Sequence, residues 1–282
     1  MRAVSVIVVG FVAIVAIACG GSSRPAASDE AGYLSATLDV FSSQARSAGD
    51  GSDLENVGDS LNDASNQMGR LRPPDDVHSA HDELRRQLAE AGKAFLQAGP
   101  DELKTPSPQL QKASLRFQNA YKEWSLAVKQ HYGVVVTRIT DASMEPALCA
   151  DDFLAFDAVD GATVVERWEV ILLRFPLDKN RNFVKRVIGL PGETVEVQSG
   201  GDIYIDGARL EGDTYALAKP NYTFGPLTIP KGNYFVLGDN RRNSYDSHAW
   251  ASAAGGSSTV ARENVLGIVP ADMKGCRQQG GA

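Results

Sequence analysis

The chain has 282 residues, 43% hydrophobic and 22% charged, which is enough apolar mass for sizeable cores and for two domains. Its formal net charge of −7 leaves no general basic footprint and argues against nucleic acid as a partner. The three cysteines, Cys19, Cys149 and Cys276, are spaced for neither a zinc site nor a redox Cys-x-x-Cys pair.

Ala3 to Ala18 is almost wholly apolar, follows the single Arg2 and ends in Ala16-Ile17-Ala18-Cys19. A basic start, an apolar stretch and small residues at its end predict an export signal over 1–18. A cysteine directly after the small residues resembles a lipoprotein signal, which implies lipidation of Cys19. The alternative is an uncleaved membrane anchor, for which the stretch is short against the roughly 17–25 residues of a spanning helix. Export leads to an oxidising compartment, where Cys149 and Cys276 are candidates for one disulfide. Residues 19–28, small and polar from Gly20 to Ser28, predict a flexible tether.

Residues 29–132 carry helical periodicity in four stripes. Leu34, Leu38 and Phe41 mark the first, and Leu54, Val57, Leu61, Ala64, Met68 and Leu71 the second. Val77, His81, Leu84, Leu88, Ala91 and Phe95 mark the third, entered through Pro73-Pro74-Asp75-Asp76. Leu110, Phe117, Tyr121, Trp124 and Val128 mark the fourth. Breaks at Gly49–Gly51, Pro73-Pro74 and Gly99–Pro108 separate them and predict an up-down four-helix bundle. His78 and His81 with Glu83 are read as one solvent-facing and one core-facing histidine beside an acidic residue, not as a metal site. The acidic residues across Asp29–Asp63 read as a solvated face.

Over 133–282 the period changes to short strands. Val134–Ile139, Phe153–Phe156, Glu169–Phe175, Asn182–Ile188, Thr194–Val197, Ile203–Ile205 and Tyr234–Leu237 are predicted, between Gly, Pro and Asp turns. The expected fold is a mostly antiparallel β domain. Ala251–Thr259, Gly/Ser-rich, reads as a flexible surface insertion.

Two segments of this domain carry chemistry. Ser143-Met144-Glu145-Pro146 places a hydroxyl on a tight turn, and Phe183-Val184-Lys185-Arg186-Val187-Ile188 places a lysine inside an apolar strand. A serine hydroxyl is a poor nucleophile until a base takes its proton. A solvated lysine, with pKa about 10.4, is protonated at neutral pH, and burial lowers that value. Strand alternation gives Phe183, Lys185 and Val187 one face, so Lys185 has apolar neighbours along it. Arg186 lies on the other face and stays charged, which leaves Lys185 as the base.

A third segment, Gly238-Asp239-Asn240-Arg241-Arg242-Asn243-Ser244-Tyr245-Asp246-Ser247-His248, completes the set. In this order the three resemble the type I signal peptidases, membrane-bound Ser/Lys proteases that remove export signals. The resemblance spans roughly Thr137 to Pro270. It implies Ser143 as nucleophile, Lys185 as general base, Ser244 as a hydrogen-bond partner orienting the lysine and Asp246 as a buried supporting acid. Met144 and Pro146 would shape the turn and the groove, and the Ser143 N–H would be one oxyanion donor. No metal or cofactor is implied.

The chain departs from the family twice. Asp141 stands two before the nucleophile, where the family has serine or glycine, and a carboxylate there opposes an oxyanion and favours a charged lysine. His248 stands where the family has arginine, so its pairing with Asp246 depends on protonation and should weaken as pH rises. The reading is a membrane-anchored Ser/Lys endopeptidase on the outer face of the cell membrane, acting on exported preproteins, with a helical bundle that folds back, holds the site at a distance for a particular client, or docks a partner. The alternative is a weakly active or non-catalytic lipoprotein whose bundle binds a partner and whose peptidase fold is residual.

Overall fold

The computed structural model describes residues 30–48, 52–252 and 256–270. The export signal, the tether, Cys19 and Cys276 lie outside the described residues. Of those described, the residues up to Thr140 together with Asp151–Ala155 form one compact unit. Asp141–Ala150 and the residues from Phe156 onward form a second.

The first unit holds four helices, α1 (Glu30–Ser47), α2 (Leu54–Met68), α3 (Asp75–Leu96) and α4 (Pro108–Tyr132). Their ends follow local chemistry. Asp53 caps α2 by accepting from the N–H groups of Glu55 and Asn56. Ser107 caps α4, Pro108 fills its first position, and Gly133 ends it at φ 69°, a left-handed conformation that glycine adopts without strain. α2 and α3 approach closely at Gly58 and Gly92. A β-carbon on Gly92 would stand 2.9 Å from the Gly58 carbonyl oxygen and 2.5 Å from Asn62 Oδ1. The predicted stripes face inward: Val57, Leu61, Met68, Val77, Leu84, Phe95, Phe117, Trp124 and Val128 are all buried in one cluster.

That cluster encloses a polar chain. Trp124 Nε1–H donates to Tyr33 Oη at 2.9 Å, which leaves the Tyr33 hydroxyl to donate to His81 Nδ1 at 2.9 Å. His81 is buried, whereas His78, four residues before Asp82, is exposed beside it. Burial pushes His81 below its ordinary value, outweighing Asp82 and a bond to the Met68 carbonyl, which pull it up. The unfolded chain therefore takes up this proton first. Stability is full above the unfolded value of about 6.5 and is lost as pH falls from there toward the folded one. Thermal unfolding followed by the helical circular-dichroism signal should give a lower Tm at pH 5.5 than at pH 7.5. The difference should shrink in His81→Gln, and an equal drop in both proteins would exclude the histidine as its source.

Strand β1 (Val134–Arg138) and the start of β2 (Phe153–Ala158) also belong to the first unit. The second unit holds the remainder of β2 together with β3 (Val170–Arg174), β4 (Asn182–Gly189), β5 (Thr194–Val197), β6 (Ile203–Ile205), β7 (Ala208–Arg209), β8 (Phe224–Thr228), β9 (Asn233–Leu237), β10 (Val260–Ala261) and β11 (Val265–Ile268). Its larger sheet runs β2-β11-β3-β4-β9-β10 and its smaller one β7-β6-β5-β8. The pairings within these two sheets are antiparallel. Ile171, Leu173, Val187, Val236 and Trp250 pack one core, while Ile188, Val195, Val197, Phe235 and Leu237 pack another. The domain is thus mostly antiparallel β, as expected.

Strands β7, β8, β10 and β11 were not predicted. β8 contains Gly225 and Pro226, residues that punctuate structure rather than extend it. β7 and β10 have two residues each, too few for an alternation to register. The stretch expected as a flexible insertion is anchored at its end. Ser258 and Thr259 are buried, and Thr259 Oγ1 accepts from Asn233 Nδ2 at 2.8 Å.

Candidate active site

Ser143 sits in a single 3-10 turn, Ala142–Met144, and is 5% exposed. Met144 is buried in the same turn, and Pro146, joined to Glu145 by a cis peptide bond, is exposed. Cys149 lies just beyond and is disulfide-bonded, with its partner outside the described residues.

Lys185 lies in β4, an interior strand between β3 and β9. Its Nζ stands 2.6 Å from Ser143 Oγ and donates to the Val184 carbonyl at 2.9 Å. The Phe183 ring centroid, on the same strand face, is 5.4 Å from Nζ. The residue is 2% exposed. Burial pushes the amine below its ordinary 10.5, against the pull of the Asp141, Asp246 and Asp239 carboxylates. An alcohol and a desolvated amine in contact are what proton transfer from serine to lysine requires.

The segment after β9 holds this pair in place. A β-carbon on Gly238 would fall 2.4 Å from the Ser143 carbonyl oxygen and 2.3 Å from Ser244 Oγ, so only glycine permits the approach. Asn240 clamps the nucleophile turn twice. Its backbone N–H donates to the Ser143 carbonyl at 3.0 Å, and its Nδ2 donates to the Ala142 carbonyl at 3.2 Å. Asp246 is wholly buried and accepts the Gly238 N–H at 2.9 Å. His248 Nδ1 lies 2.6 Å from the other Asp246 oxygen, and its ring stacks on Tyr222 with centroids 3.7 Å apart. The histidine therefore occupies the predicted place beside Asp246.

Arg186, on the opposite face of β4, makes two bonds of 2.7 and 2.6 Å to Asp239, which is fully buried, and one to the Trp168 carbonyl. Arg241, also buried, pairs with Asp213 and donates to the Gly238 carbonyl. Sequence reasoning gave Asp239, Asn240, Arg241 and Asp213 no role. The Gly-Asp-Asn turn was visible, but the partners of Asp239, Asn240 and Arg241 are 53, 98 and 28 residues away along the chain.

Two expectations are corrected. Ser244 Oγ does not bond Lys185; it is buried with no hydrogen-bond partner, because the amine is directed to Ser143 Oγ and the Val184 carbonyl instead. The Ser143 N–H, expected to point at an oxyanion, is occupied: it donates to Asp141 Oδ1 at 2.9 Å. Burial pushes the Asp141 carboxyl up, but hydrogen bonding with Ser143 and the charges of Lys185 and Arg181 outweigh it and leave it below its ordinary value.

Residues 126–273, more than half of the chain, match the family model described as signal peptidase, peptidase S26. A probable signal peptidase I-2 of Synechocystis is 41% identical over 136 residues, 46% of this chain and 58% of that protein. A signal peptidase I of Bacillus amyloliquefaciens is 31% identical over 179 residues, covering 57% of this chain and 89% of its own length. A solved signal peptidase I from Enterococcus faecalis aligns with 38% of this chain and 98% of its own, at 32% identity and a TM-score of 0.31. The chain thus spans under two thirds of the Synechocystis relative.

Proposed function

The chain belongs to the peptidase S26 signal peptidase family, and from that membership we propose that it is a serine endopeptidase that removes signal peptides from exported precursors. The observation carrying this reading is the 2.6 Å contact between Ser143 Oγ and the buried Lys185 amine. Ser143 attacks the scissile carbonyl while neutral Lys185 takes the hydroxyl proton. Lys185 then gives that proton to the departing amine and later accepts one from the water that hydrolyses the acyl-enzyme. Asp246 supports the Gly238 turn, Ser244 lines it, and Met144 and Pro146 shape the substrate groove.

The same reading places the site on the outer face of the cell membrane, held by a lipid on Cys19 or by an uncleaved N-terminal span. Among the described residues, no helix is long and apolar enough to cross a membrane. We read the four helices as an up-down bundle over 29–132 that docks a protein partner, the β domain as 133–282, and Cys276 as the partner of Cys149. The test uses full-length protein in detergent and a fluorogenic peptide spanning a signal-sequence cleavage region. Wild type should cleave it, and Ser143→Ala and Lys185→Ala should each lose ~1000-fold or more in kcat. Unaltered cleavage in either variant excludes the dyad. Occupation of the Ser143 N–H by Asp141 favours the weakly active alternative, in which wild-type turnover barely exceeds that of Ser143→Ala.

A further inference from the structure

This inference rests on the peptidase reading and concerns how its site is opened. We propose that Asp141 is a removable plug: in the free protein its carboxylate holds the Ser143 N–H, and cleavage begins when the substrate carbonyl displaces it toward Arg181. The contact is direct, with the Ser143 N–H donating to Asp141 Oδ1 at 2.9 Å. A carboxylate and a developing oxyanion require the same donor and repel one another, so the two cannot share it.

The aspartate caps the turn, but other bonds hold the turn as well. Asp141 has φ −152° and ψ 168°, extended backbone open to any residue. Asn240 already ties the turn from its far side through the Ser143 and Ala142 carbonyls. Glu145 N–H closes it by donating to Ala142 O.

The plug also acts on the base. Three carboxylates, Asp141, Asp246 and Asp239, favour the charged form of Lys185. Asp246 and Asp239 are wholly buried and fixed by hydrogen bonds, whereas Asp141 is exposed and so can leave. Its departure frees the donor and removes a negative charge from beside the amine in one movement. Arg181, an exposed side chain whose guanidinium lies 5.2 Å from the Phe183 ring centroid, is the cation besides Lys185 whose charge favours ionised Asp141.

The experiment compares wild type, Asp141→Ala, Asp141→Asn, Arg181→Ala and the Asp141→Ala/Arg181→Ala double variant, as full-length protein in detergent with the same fluorogenic peptide. One oxyanion donor is worth roughly a hundredfold to a thousandfold. Removing the plug should therefore raise kcat/KM by at least ~10-fold, with the isosteric Asp141→Asn between it and wild type. The acid limb of kcat/KM, which reports the free enzyme, should move to lower pH in Asp141→Ala, while that of kcat moves less. Arg181→Ala should slow wild type and leave Asp141→Ala unchanged. Cleavage no faster in Asp141→Ala, with the acid limb in place, overturns the plug. Should wild type and every variant fail to cleave, the peptidase reading falls instead, and the plug is judged on hydrogen exchange at the Ser143 amide. Exchange at least ~10-fold faster in Asp141→Ala supports it, and equal rates overturn it.

Discussion

Replacing Lys185 with methionine is expected to abolish cleavage and, in the same protein, to raise the thermal stability of the β domain. Both effects come from one amine held out of water. At 2% exposure its ammonium form lacks the hydration it has in the unfolded chain, and burial lowers its pKa. Because the folded value lies below the unfolded one, the buried amine destabilises the fold fully at pH below the folded value. The penalty is relieved as pH rises from there toward the ordinary 10.5. Methionine has similar length and no charge, so Tm should rise by a few degrees at neutral pH, about what 1 kcal/mol produces in a unit of this size. The gain should shrink at alkaline pH. Activity in wild type should climb with pH on a limb below the ordinary lysine range, since only the neutral amine accepts the serine proton. A variant that lost cleavage and also lost stability would mean that the amine is a structural cation and not a base.

Removing the Asp239 carboxylate should destabilise the β domain by about 3–5 kcal/mol in Asp239→Ala. Arg186 is 5% exposed and makes both of its carboxylate bonds to this one residue, so the change leaves a guanidinium stranded in the core. Urea unfolding at neutral pH measures the loss. Replacing both partners, Arg186→Met with Asp239→Leu, should recover much of it, because two apolar side chains leave no unpaired charge behind. Recovery absent from the double variant would show that Asp239 matters for packing or loop shape alone. Activity should fall in the single variant as well, since Asp239 precedes Asn240, which holds the serine turn through two carbonyl groups.

The parts of this site legible in the sequence are those whose chemistry is local. Lys185 could be assigned because alternation along Phe183–Ile188 sets its neighbours without knowledge of the rest of the sheet. The helical stripes were legible for the same reason, and Val57, Leu61, Leu84 and Trp124 do lie in the core. Arg186 could be excluded as a base, but its pairing with Asp239 depends on the β4–β9 register, which no local pattern encodes. The Asp141 contact spans only two residues, and a side chain reaching the N–H two positions on is a common habit of aspartate in turns. The unpartnered hydroxyl of Ser244 follows from where the lysine tip points, and composition carries no trace of that.

The register of β4 against β9 has a consequence for how reactive geometry is inherited. Arg186 pairs with Leu237, so one step further brings Lys185 opposite Gly238, the residue that abuts the serine carbonyl. The serine turn and the base are therefore gauged across two adjacent strands, which lie about 4.8 Å apart. Loops around the cleft can vary in sequence and length without altering that gauge. A slip of one rung would turn the amine to the opposite side of the sheet and leave the alcohol inert.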